Sequence, residues 1–332
     1  MSEAKDTYQD LYRKYRPTDW SGVVGQDEAV KVLRRMVKRN KVPHAILFSG
    51  GSGTGKTTLA RILAAKIGCP EFTVDDDGKQ RPNADFHEIN CATVEEPLAM
   101  VRHLEQTMSL STLSGGKARV WVLDEVASFS RSRFGLEATL KVLEEMPPHA
   151  YFMLCTTDPQ KLLPAMRTRL TKIILKAVPV EPLTALVQEI AVKEKAEVSD
   201  QLAKLIAEAA TGSAREAVQL LGSALALDSD EERLDLIRNS SGDKQGKTLA
   251  RALMEYKANW PAVKEVLEKY EGDPDDIRRA VLGYARKVLL GGGKNAERAY
   301  GIIVVFESSF WSGGHASLAR ACYECFKGQG QR

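Results

Sequence analysis

Long apolar runs and cysteines are both scarce in this sequence. No apolar run reaches the length of about 18 residues that a membrane-spanning helix needs, and the first residues, MSEAKDTYQD, are too polar for a signal peptide. The five cysteines form no disulfide framework. One C-x-x-C pair, Cys322 and Cys325 with His315 upstream, has no second pair, so we interpret it as two half-buried helix residues rather than a metal site. We expect a cytoplasmic protein without a membrane partner.

An excess of charge of one sign is also missing. The 47 Lys and Arg residues are balanced by 44 Asp and Glu residues, which leaves a formal net charge of +3. This excludes a protein that is basic over its whole surface, so any surface for nucleic acid must be local. The 332 residues, 43% of them hydrophobic, are enough for two or three domains with a large core.

What is present is a glycine-rich segment, GGSGTGKT at residues 50–57, between the apolar run HAILF and the helix-like RILAAKI. The spacing of Gly50, Gly55, Lys56 and Thr57 is that of a P-loop, whose backbone N–H groups surround phosphate oxygens at the start of a helix. Lys56 is expected to reach the β- and γ-phosphates, and Thr57 to ligate Mg²⁺. The predicted phosphate-binding residues are Gly51, Ser52, Gly53, Thr54, Gly55, Lys56, Thr57 and Thr58.

Two carboxylates follow the apolar run VWVL, as in a Walker B motif. We expect Asp124 to hold the Mg²⁺ shell and Glu125 to orient and activate water. The next apolar run, YFMLCTT, ends in Thr157, a candidate γ-phosphate sensor between the two motifs. The alternatives are an acidic turn after a strand and an ordinary strand-end threonine.

Up to about residue 178, β-branched apolar runs alternate with helical stretches, which predicts a parallel, doubly wound sheet with helices on both faces. The predicted strands are HAILFS, DFHEIN, ARVWVLDE, YFMLCTT and TKIILK. Only helical patterns follow. We therefore predict an α/β nucleotide-binding domain at 1–178, a small helical domain at 179–242 and an all-α domain at 243–332.

Several of these segments together resemble one family. They are YRKYRPTDWSGVVGQ, the P-loop, LDEV, LKVLEEMPPH, CTTDPQKLLPAMRTRL and GSAREAVQLL. In this order they are similar to the AAA+ ATPase subunits of sliding-clamp loaders, above all the gamma/tau subunit of bacterial DNA polymerase III, over about the first 225 residues. The resemblance implies an AAA+ P-loop NTPase domain, a helical lid and a helical collar that mediates oligomerisation.

The resemblance also implies site roles by position. Thr157 matches sensor 1, and Arg215 matches the sensor 2 arginine of the lid. Arg169 falls on the family's trans-acting arginine, although its neighbours Thr168 and Leu170 depart from the family's Ser-Arg-Cys motif. The residues that match the segments enclosing adenine are Tyr12, Arg13, Lys14, Tyr15, Val23 and Val24.

Two further departures modify the expected cofactors and contacts. The family's four-cysteine zinc module is reduced to Cys69, so ATP and Mg²⁺ are expected but zinc is not. Val94, Glu95 and Glu96 stand roughly where relatives have basic residues facing DNA. The compact form is also similar to viral clamp loaders, so the expected compartment is the cytoplasm of a bacterium or of a phage-infected cell.

The implied function is ATP-driven opening and loading of a sliding clamp onto primer–template DNA during replication. The implied partners are the clamp, primer–template DNA, other loader subunits in a pentamer formed through the collar and, indirectly, the replicative polymerase. Arg131 and Arg133, after Walker B, are candidates for the DNA backbone. Met108, Leu110 and Leu113 are candidates either for clamp contact or for the core. The alternatives are a branch-migration or helicase-type DNA motor, a protein remodeller and a nucleotide-bound scaffold.

Overall fold

The computed structural model divides the chain into two compact units, Met1–Ala226 and Leu227–Arg332. The residues that it describes are 11–74, 79–113, 116–240, 243–255, 260–270, 272–293, 295–307, 310 and 313–327. It describes the backbone alone at residues 133, 238–240, 243–245 and 247.

The first unit is built around a five-stranded parallel sheet of order β4-β5-β6-β1-β7, and β2 pairs with β3 in a separate antiparallel hairpin. The strands are β1 (Ala45–Ser49), β2 (Phe72–Val74), β3 (Gln80–Pro82), β4 (Phe86–Asn90), β5 (Arg119–Asp124), β6 (Ala150–Thr156) and β7 (Thr171–Ile174). β6 lies between β1 and β5, so the carboxyl ends of these three strands are neighbours. This is the edge at which open α/β sheets bind ligands.

Helices cover both faces of the sheet. Those of the first unit are α1 (Leu11–Lys14), α2 (Asp27–Lys38), α3 (Lys56–Lys66), α4 (Pro97–Met108), α5 (Arg133–Glu144), α6 (Pro164–Arg169), α7 (Val180–Lys193), α8 (Asp200–Ala209) and α9 (Ala214–Leu225). The serine side chains of Ser199 and Ser213 cap α8 and α9 by accepting a hydrogen bond from a backbone N–H in the first turn.

The alternation of side chains along β5 divides the core in two. Val120 and Val122 belong to the apolar cluster beneath α2 and α3, whereas Trp121 and Leu123 belong to the cluster beneath α4, α5 and α6. Because both faces of this strand are buried, its sequence is a continuous apolar run rather than an alternating one.

The second unit is helical throughout its described residues. Its helices are α10 (Asp230–Ser240), α11 (Asp243–Met254), α12 (Trp260–Glu268), α13 (Pro274–Gly291), α14 (Ala296–Phe306) and α15 (Gly314–Lys327). Val281, Phe306 and Cys322 lie in its core. Cys325 is partly buried on the same helix, and burial raises the pKa of its thiol to about 12. Of the helices described, none has both the length and the apolar character that crossing a membrane requires.

The structure confirms the predicted fold class, with all five predicted strands in one parallel sheet and, among the residues described after β7, helices but no strand. The β2–β3 hairpin was not predicted from the sequence. It lies in the segment where the resemblance implied loss of a zinc module, and residues 75–78 of that segment are outside the described part. The division into three domains, at 178 and 242, stays a prediction.

Candidate nucleotide-binding site

The phosphate-binding loop connects β1 to α3. Gly53 and Gly55 have φ angles of 68° and 102°, in the left-handed region that favours glycine. A Cβ atom on Gly53 would lie 2.0 Å from Ser213 Oγ, so the close approach of α9 also requires glycine there. Lys56 is buried and its Nζ donates to the carbonyl oxygens of Gly50 and Gly51, at 3.0 and 2.8 Å. This burial lowers the pKa of Lys56, against the opposing charges of Glu125 and Asp124.

Two carboxylates and a hydroxyl meet this loop from the neighbouring strands. Thr57 Oγ1 donates to Asp124 Oδ2 at 2.9 Å, which joins the start of α3 to the end of β5. Glu125 follows with φ of 51°, and its Oε2 accepts from Thr157 Oγ1 at 3.4 Å. The predicted Walker B residues and the predicted sensor threonine are thus in contact.

One pocket is lined by most of the residues that the sequence singled out. Residues 52–58 of the P-loop line it, together with Asp124, Glu125 and Arg215. Of the predicted adenine-binding residues, those that line it are Tyr12, Tyr15, Val23 and Val24. Gly51 lies outside the lining and contributes its carbonyl oxygen to Lys56 and to Thr54 Oγ1.

Arg13 and Lys14 are not brought into this pocket. Arg13 is exposed and its Nε donates to the hydroxyl of Tyr12 at 3.1 Å. Lys14 Nζ pairs with Glu194 Oε1 at 2.6 Å, and the hydroxyl of Tyr15 donates to the same oxygen. Successive side chains of the short helix α1 point in different directions, so a contiguous motif cannot place all four in one pocket.

We name the helices α7, α8 and α9 the lid. The lid closes one side of the pocket through Arg215, the second residue of α9. Its guanidinium carbon lies 5.7 Å from the centre of the Tyr12 ring, and its backbone N–H donates to Gly53 O at 3.4 Å. The lid therefore contacts both the N-terminal segment and the phosphate-binding loop.

Six further lining residues were not predicted from the sequence: Arg16, Pro17, Gly22, Leu186, Ala214 and Val218. Arg16 is half-buried in the pocket, and desolvation followed by the charge of Arg61 lowers its pKa. Leu186 of α7 and Val218 of α9 supply apolar surface from the lid. Arg16 is part of the YRKYRP segment and could have been predicted together with Tyr12 and Tyr15. Nothing in the sequence distinguishes Leu186 or Val218 from other apolar helix positions.

Arg169 lies at the end of α6 and is not among the residues that line the pocket. Its NH2 pairs with Glu144 Oε1 at 2.7 Å, its NH1 donates to Ala165 O at 3.2 Å, and the side chain is 45% exposed. The guanidinium is therefore held at the surface by its own subunit.

The predicted DNA-contacting arginines lie where α5 begins. Arg131 is exposed, and Ser132 caps α5 by accepting from Gly135 N. Arg133 is the first residue of α5, and its side chain is outside the described part of the chain.

Mg²⁺ prefers oxygen ligands, and the donors present fit that preference. Thr57 and Asp124 offer a hydroxyl and a carboxylate beside the phosphate-binding loop. Among the described residues, no group of three or more His, Cys, Asp or Glu side chains could hold a metal by themselves. Mg²⁺ at a nucleotide site usually keeps several waters and takes further ligands from the phosphates.

The family described as "DNA polymerase III, delta subunit" matches residues 25–179. The chain is 33% identical over 264 residues to DNA polymerase III subunit tau of Escherichia coli, covering 75% of this chain and 40% of that protein. It is 29% identical over 298 residues to subunit tau of Bacillus subtilis, covering 86% of this chain and 52% of that protein. The chain thus spans about half the length of these relatives.

Among solved structures, the Holliday junction branch migration motor RuvB of Thermotoga maritima superposes with a TM-score of 0.54 at 19% identity. The match covers 80% of this chain and 85% of RuvB. At this level of identity the likeness concerns the fold alone. The sequence matches and the fold together make this chain a relative of the gamma/tau subunits of bacterial DNA polymerase III, built on an AAA+ fold.

Proposed function

We propose that this chain is an ATP-hydrolysing subunit of a sliding-clamp loader that acts in DNA replication. The observation that carries the proposal is a single pocket that combines a P-loop, two Walker B carboxylates and a lid arginine, in a chain 33% identical to subunit tau of DNA polymerase III. Nucleotide is the ligand that this combination of groups fits.

In the proposed site, backbone N–H groups of residues 52–57 and the ammonium of Lys56 bind the phosphates. Thr57 and Asp124 would hold Mg²⁺, which would neutralise charge on the β- and γ-phosphates. Glu125 is the general base for water, and its carboxylate is oriented by the hydroxyl of Thr157, which donates to Glu125 Oε2 at 3.4 Å. Arg215 brings positive charge from the lid, so that nucleotide binding couples to the position of α7, α8 and α9.

Arg169 is proposed to complete a neighbouring subunit's site. Its position outside its own pocket supports this role, because a guanidinium at the surface can reach phosphate only across a subunit interface. The proposed assembly is a pentamer formed through the helical second unit, with the sliding clamp, primer–template DNA and other loader subunits as partners and the replicative polymerase as an indirect one.

The DNA contact is proposed at Arg131 and Arg133, at the start of α5, whose N-terminal end also carries a partial positive charge. The clamp contact is proposed at Leu110 and Leu113, which are 54% and 69% exposed. Met108, the third candidate in that segment, belongs to the core instead.

A branch-migration motor is disfavoured by the second unit, whose described residues form helices and no hairpin of the winged-helix kind. The pairing of Glu125 with Thr157 argues for turnover rather than a static scaffold. A protein remodeller shares the nucleotide site, so the discriminating evidence must come from what stimulates hydrolysis.

The test is steady-state ATP hydrolysis by the reconstituted assembly, with and without clamp and primer–template DNA. A clamp loader is expected to hydrolyse faster with both together than with either alone. Stimulation by an unfolded protein substrate but not by clamp and DNA would favour the remodeller and contradict the proposal.

A further inference from the structure

The exposed side of α2 and the residues that follow it concentrate positive charge. Between residues 31 and 41 the sequence has six Lys or Arg and no Asp or Glu. The six residues, all exposed, are Lys31, Arg34, Arg35, Lys38, Arg39 and Lys41. We name this set the α2 basic surface. Because the net charge of the whole chain is only +3, the concentration is not a consequence of overall composition.

Helical spacing brings most of this charge to one face. Positions i, i+3, i+4 and i+7 of a helix share a face, and here they span about 10 Å along the axis. The residues at these positions are Lys31, Arg34, Arg35 and Lys38. They line a shallow groove with Asp27 and Val30, while the opposite side of α2, including Leu33, is buried against the sheet.

These cations are not used within the subunit. In the ranges that the structure describes, none of the six side chains forms a hydrogen bond or an ion pair with another side chain. Asp19 is paired with Lys66, which lowers the pKa of its carboxyl, and the charge of Arg34 adds a smaller effect in the same direction. Glu28 is paired with Lys176. Two neighbouring acids, Asp19 and Glu28, are thus paired with other lysines, and Asp27 is the one acid that lines the groove.

Helix stability does not account for the surface either. Cations near a helix C-terminus interact favourably with its dipole, which accounts for Arg35, Lys38 and Arg39. Lys31 and Arg34 lie before the last turn, where like charges three and four residues apart repel one another. An anionic ligand would remove this repulsion.

The chemistry of the face indicates which anion. Val32 is its one large apolar side chain with substantial exposure, at 41%, and aromatic residues are absent between positions 27 and 41. A protein partner is usually held by buried aromatic or aliphatic anchors, and single-stranded nucleic acid by aromatic stacking. Closely spaced cations without either feature suit the phosphate backbone of a duplex.

We propose that the α2 basic surface binds the phosphate backbone of duplex DNA without reading its sequence. The site is separate from the contact proposed at Arg131, because α2 packs on one face of the sheet and α5 on the other. The chain would therefore hold a second stretch of DNA on the face of the sheet opposite to α5. This proposal goes beyond clamp loading and does not require it.

The test is DNA binding by the full chain, measured by fluorescence anisotropy with a short labelled duplex of arbitrary sequence over a series of salt concentrations. The α2 variant combines Lys31→Gln, Arg34→Gln, Arg35→Gln and Lys38→Gln. The matched control loses the same charge from four dispersed, exposed positions, as Lys172→Gln, Lys204→Gln, Arg251→Gln and Arg286→Gln. We expect the α2 variant to bind about 10-fold more weakly and to lose about two to four units from the slope of log affinity against log salt.

The outcomes are separated by the unfolding temperature, the protection of lysines, the salt slope and the binding of an acidic peptide. The α2 variant should keep about the unfolding temperature of the parent, since relief of repulsion offsets the lost interaction of Arg35 and Lys38 with the helix dipole. Duplex should protect Lys31 and Lys38 but not Lys204 from acylation. Equal salt slopes for the α2 variant and its control would overturn the proposal. So would retained duplex binding with lost binding of an acidic peptide, which would make the surface a protein-docking site. An Arg131→Gln variant, measured in parallel, reports on the contact proposed for clamp loading without affecting this one.

Discussion

At the scale of single residues, the conformation of Glu125 is unusual. Its φ angle of 51° lies in the left-handed region, which is costly for a residue with a side chain. The backbone is fixed there by a hydrogen bond from Glu125 N to Asp124 Oδ1 at 3.0 Å. Strained backbone of this kind occurs where a side chain must be aimed, and here the carboxylate is aimed at Thr157.

Replacing Glu125 by glutamine should therefore separate binding from catalysis. We expect Glu125→Gln to bind ATP within a few-fold of the parent, because the side chain keeps its shape, and to hydrolyse it about 100-fold or more slowly, because an amide cannot accept the proton of water. Nucleotide affinity and steady-state turnover measure the two effects.

Two further variants serve as controls. Lys56→Ala should lose ATP binding, and Glu208→Gln, an exposed glutamate of α8, should change neither quantity. Hydrolysis by Glu125→Gln at near-parental rates would exclude Glu125 as the general base.

A buried ion pair shapes the segment between α4 and β5. Arg119 and Asp85 are both almost fully buried, and Arg119 Nε lies 3.4 Å from Asp85 Oδ1. Arg119 NH1 donates to Thr107 O at 3.0 Å, and Asp85 Oδ1 accepts from Leu113 N at 2.9 Å. The pair thus holds the segment that exposes Leu110 and Leu113.

Removing the cation should be expensive because a carboxylate is left buried. We expect Arg119→Met to lower the free energy of unfolding by about 3–5 kcal/mol, measured by urea denaturation. Adding Asp85→Asn should recover part of the loss, since the buried charge is then absent. Arg102→Met, at an exposed position of α4, is the control. A strictly additive double variant would show that the two groups do not interact.

At the scale of elements, the sequence predicted the strands of the central sheet and missed the short hairpin beside it. β1, β5 and β6 are buried apolar runs and were identified as strands. β2 and β3 have three residues each and no fully buried residue, so no hydrophobic pattern marks them. Their pairing depends on the hairpin itself.

The candidate site divides in the same way. The P-loop and the pair Asp124 and Glu125 were predicted because their chemistry requires contiguous residues. Leu186 and Val218 were not predicted, because they line the pocket through the tertiary packing of α7 and α9. The outward direction of Lys14 likewise depends on Glu194, which is 180 residues away in sequence.

Glu194 connects α1 to the end of α7 and so links the N-terminal segment to the lid. Its side chain is 6% exposed and accepts from Lys14 Nζ and the hydroxyl of Tyr15, which lines the pocket. We expect Glu194→Gln to raise the dissociation constant for ATP about 3- to 10-fold with little change in maximal turnover, because it loosens Tyr15 without touching the reacting groups. Glu189→Gln, which breaks a pair within α7, is the control.

The effect of Glu194→Gln should be independent of pH over the physiological range. The hydrogen bonds from Lys14 and Tyr15 lower the pKa of Glu194, so its contribution is complete above the ordinary value of 4.5 and is lost only as the pH falls through the lowered pKa. The hydrogen bond to Glu194 raises the pKa of Lys14 above 10.5, so that partner is lost only at higher pH. A difference between parent and variant that changed from about pH 6 to pH 9 would point to another titrating group.

At the scale of the whole molecule, the proposed catalytic set is divided between subunits. Residues 52–58, Asp124, Glu125 and Arg215 line one pocket, whereas Arg169 is held at the surface by Glu144 and the carbonyl of Ala165. These two partners fix the orientation of the guanidinium plane, which would preorganise it for a phosphate bound by a neighbouring subunit. Solitary subunits should accordingly bind ATP normally and hydrolyse it slowly.

Arg169→Ala should leave ATP binding by the isolated chain almost unchanged and abolish the clamp- and DNA-stimulated hydrolysis of the assembly. The expected loss is about 10³- to 10⁵-fold at the affected interface, as for arginines that stabilise charge on a transferring phosphoryl group. Mixing Arg169→Ala with Lys56→Ala chains should give activity only where an intact Arg169 faces an intact P-loop, so turnover should depend on the mixing ratio and pass through a maximum. Arg167→Ala is the neighbouring control, since Arg167 NH1 donates to Gln160 of its own subunit. If Arg169→Ala instead weakened binding and turnover equally in a verified monomer, the arginine would act on its own pocket and the divided site would be wrong.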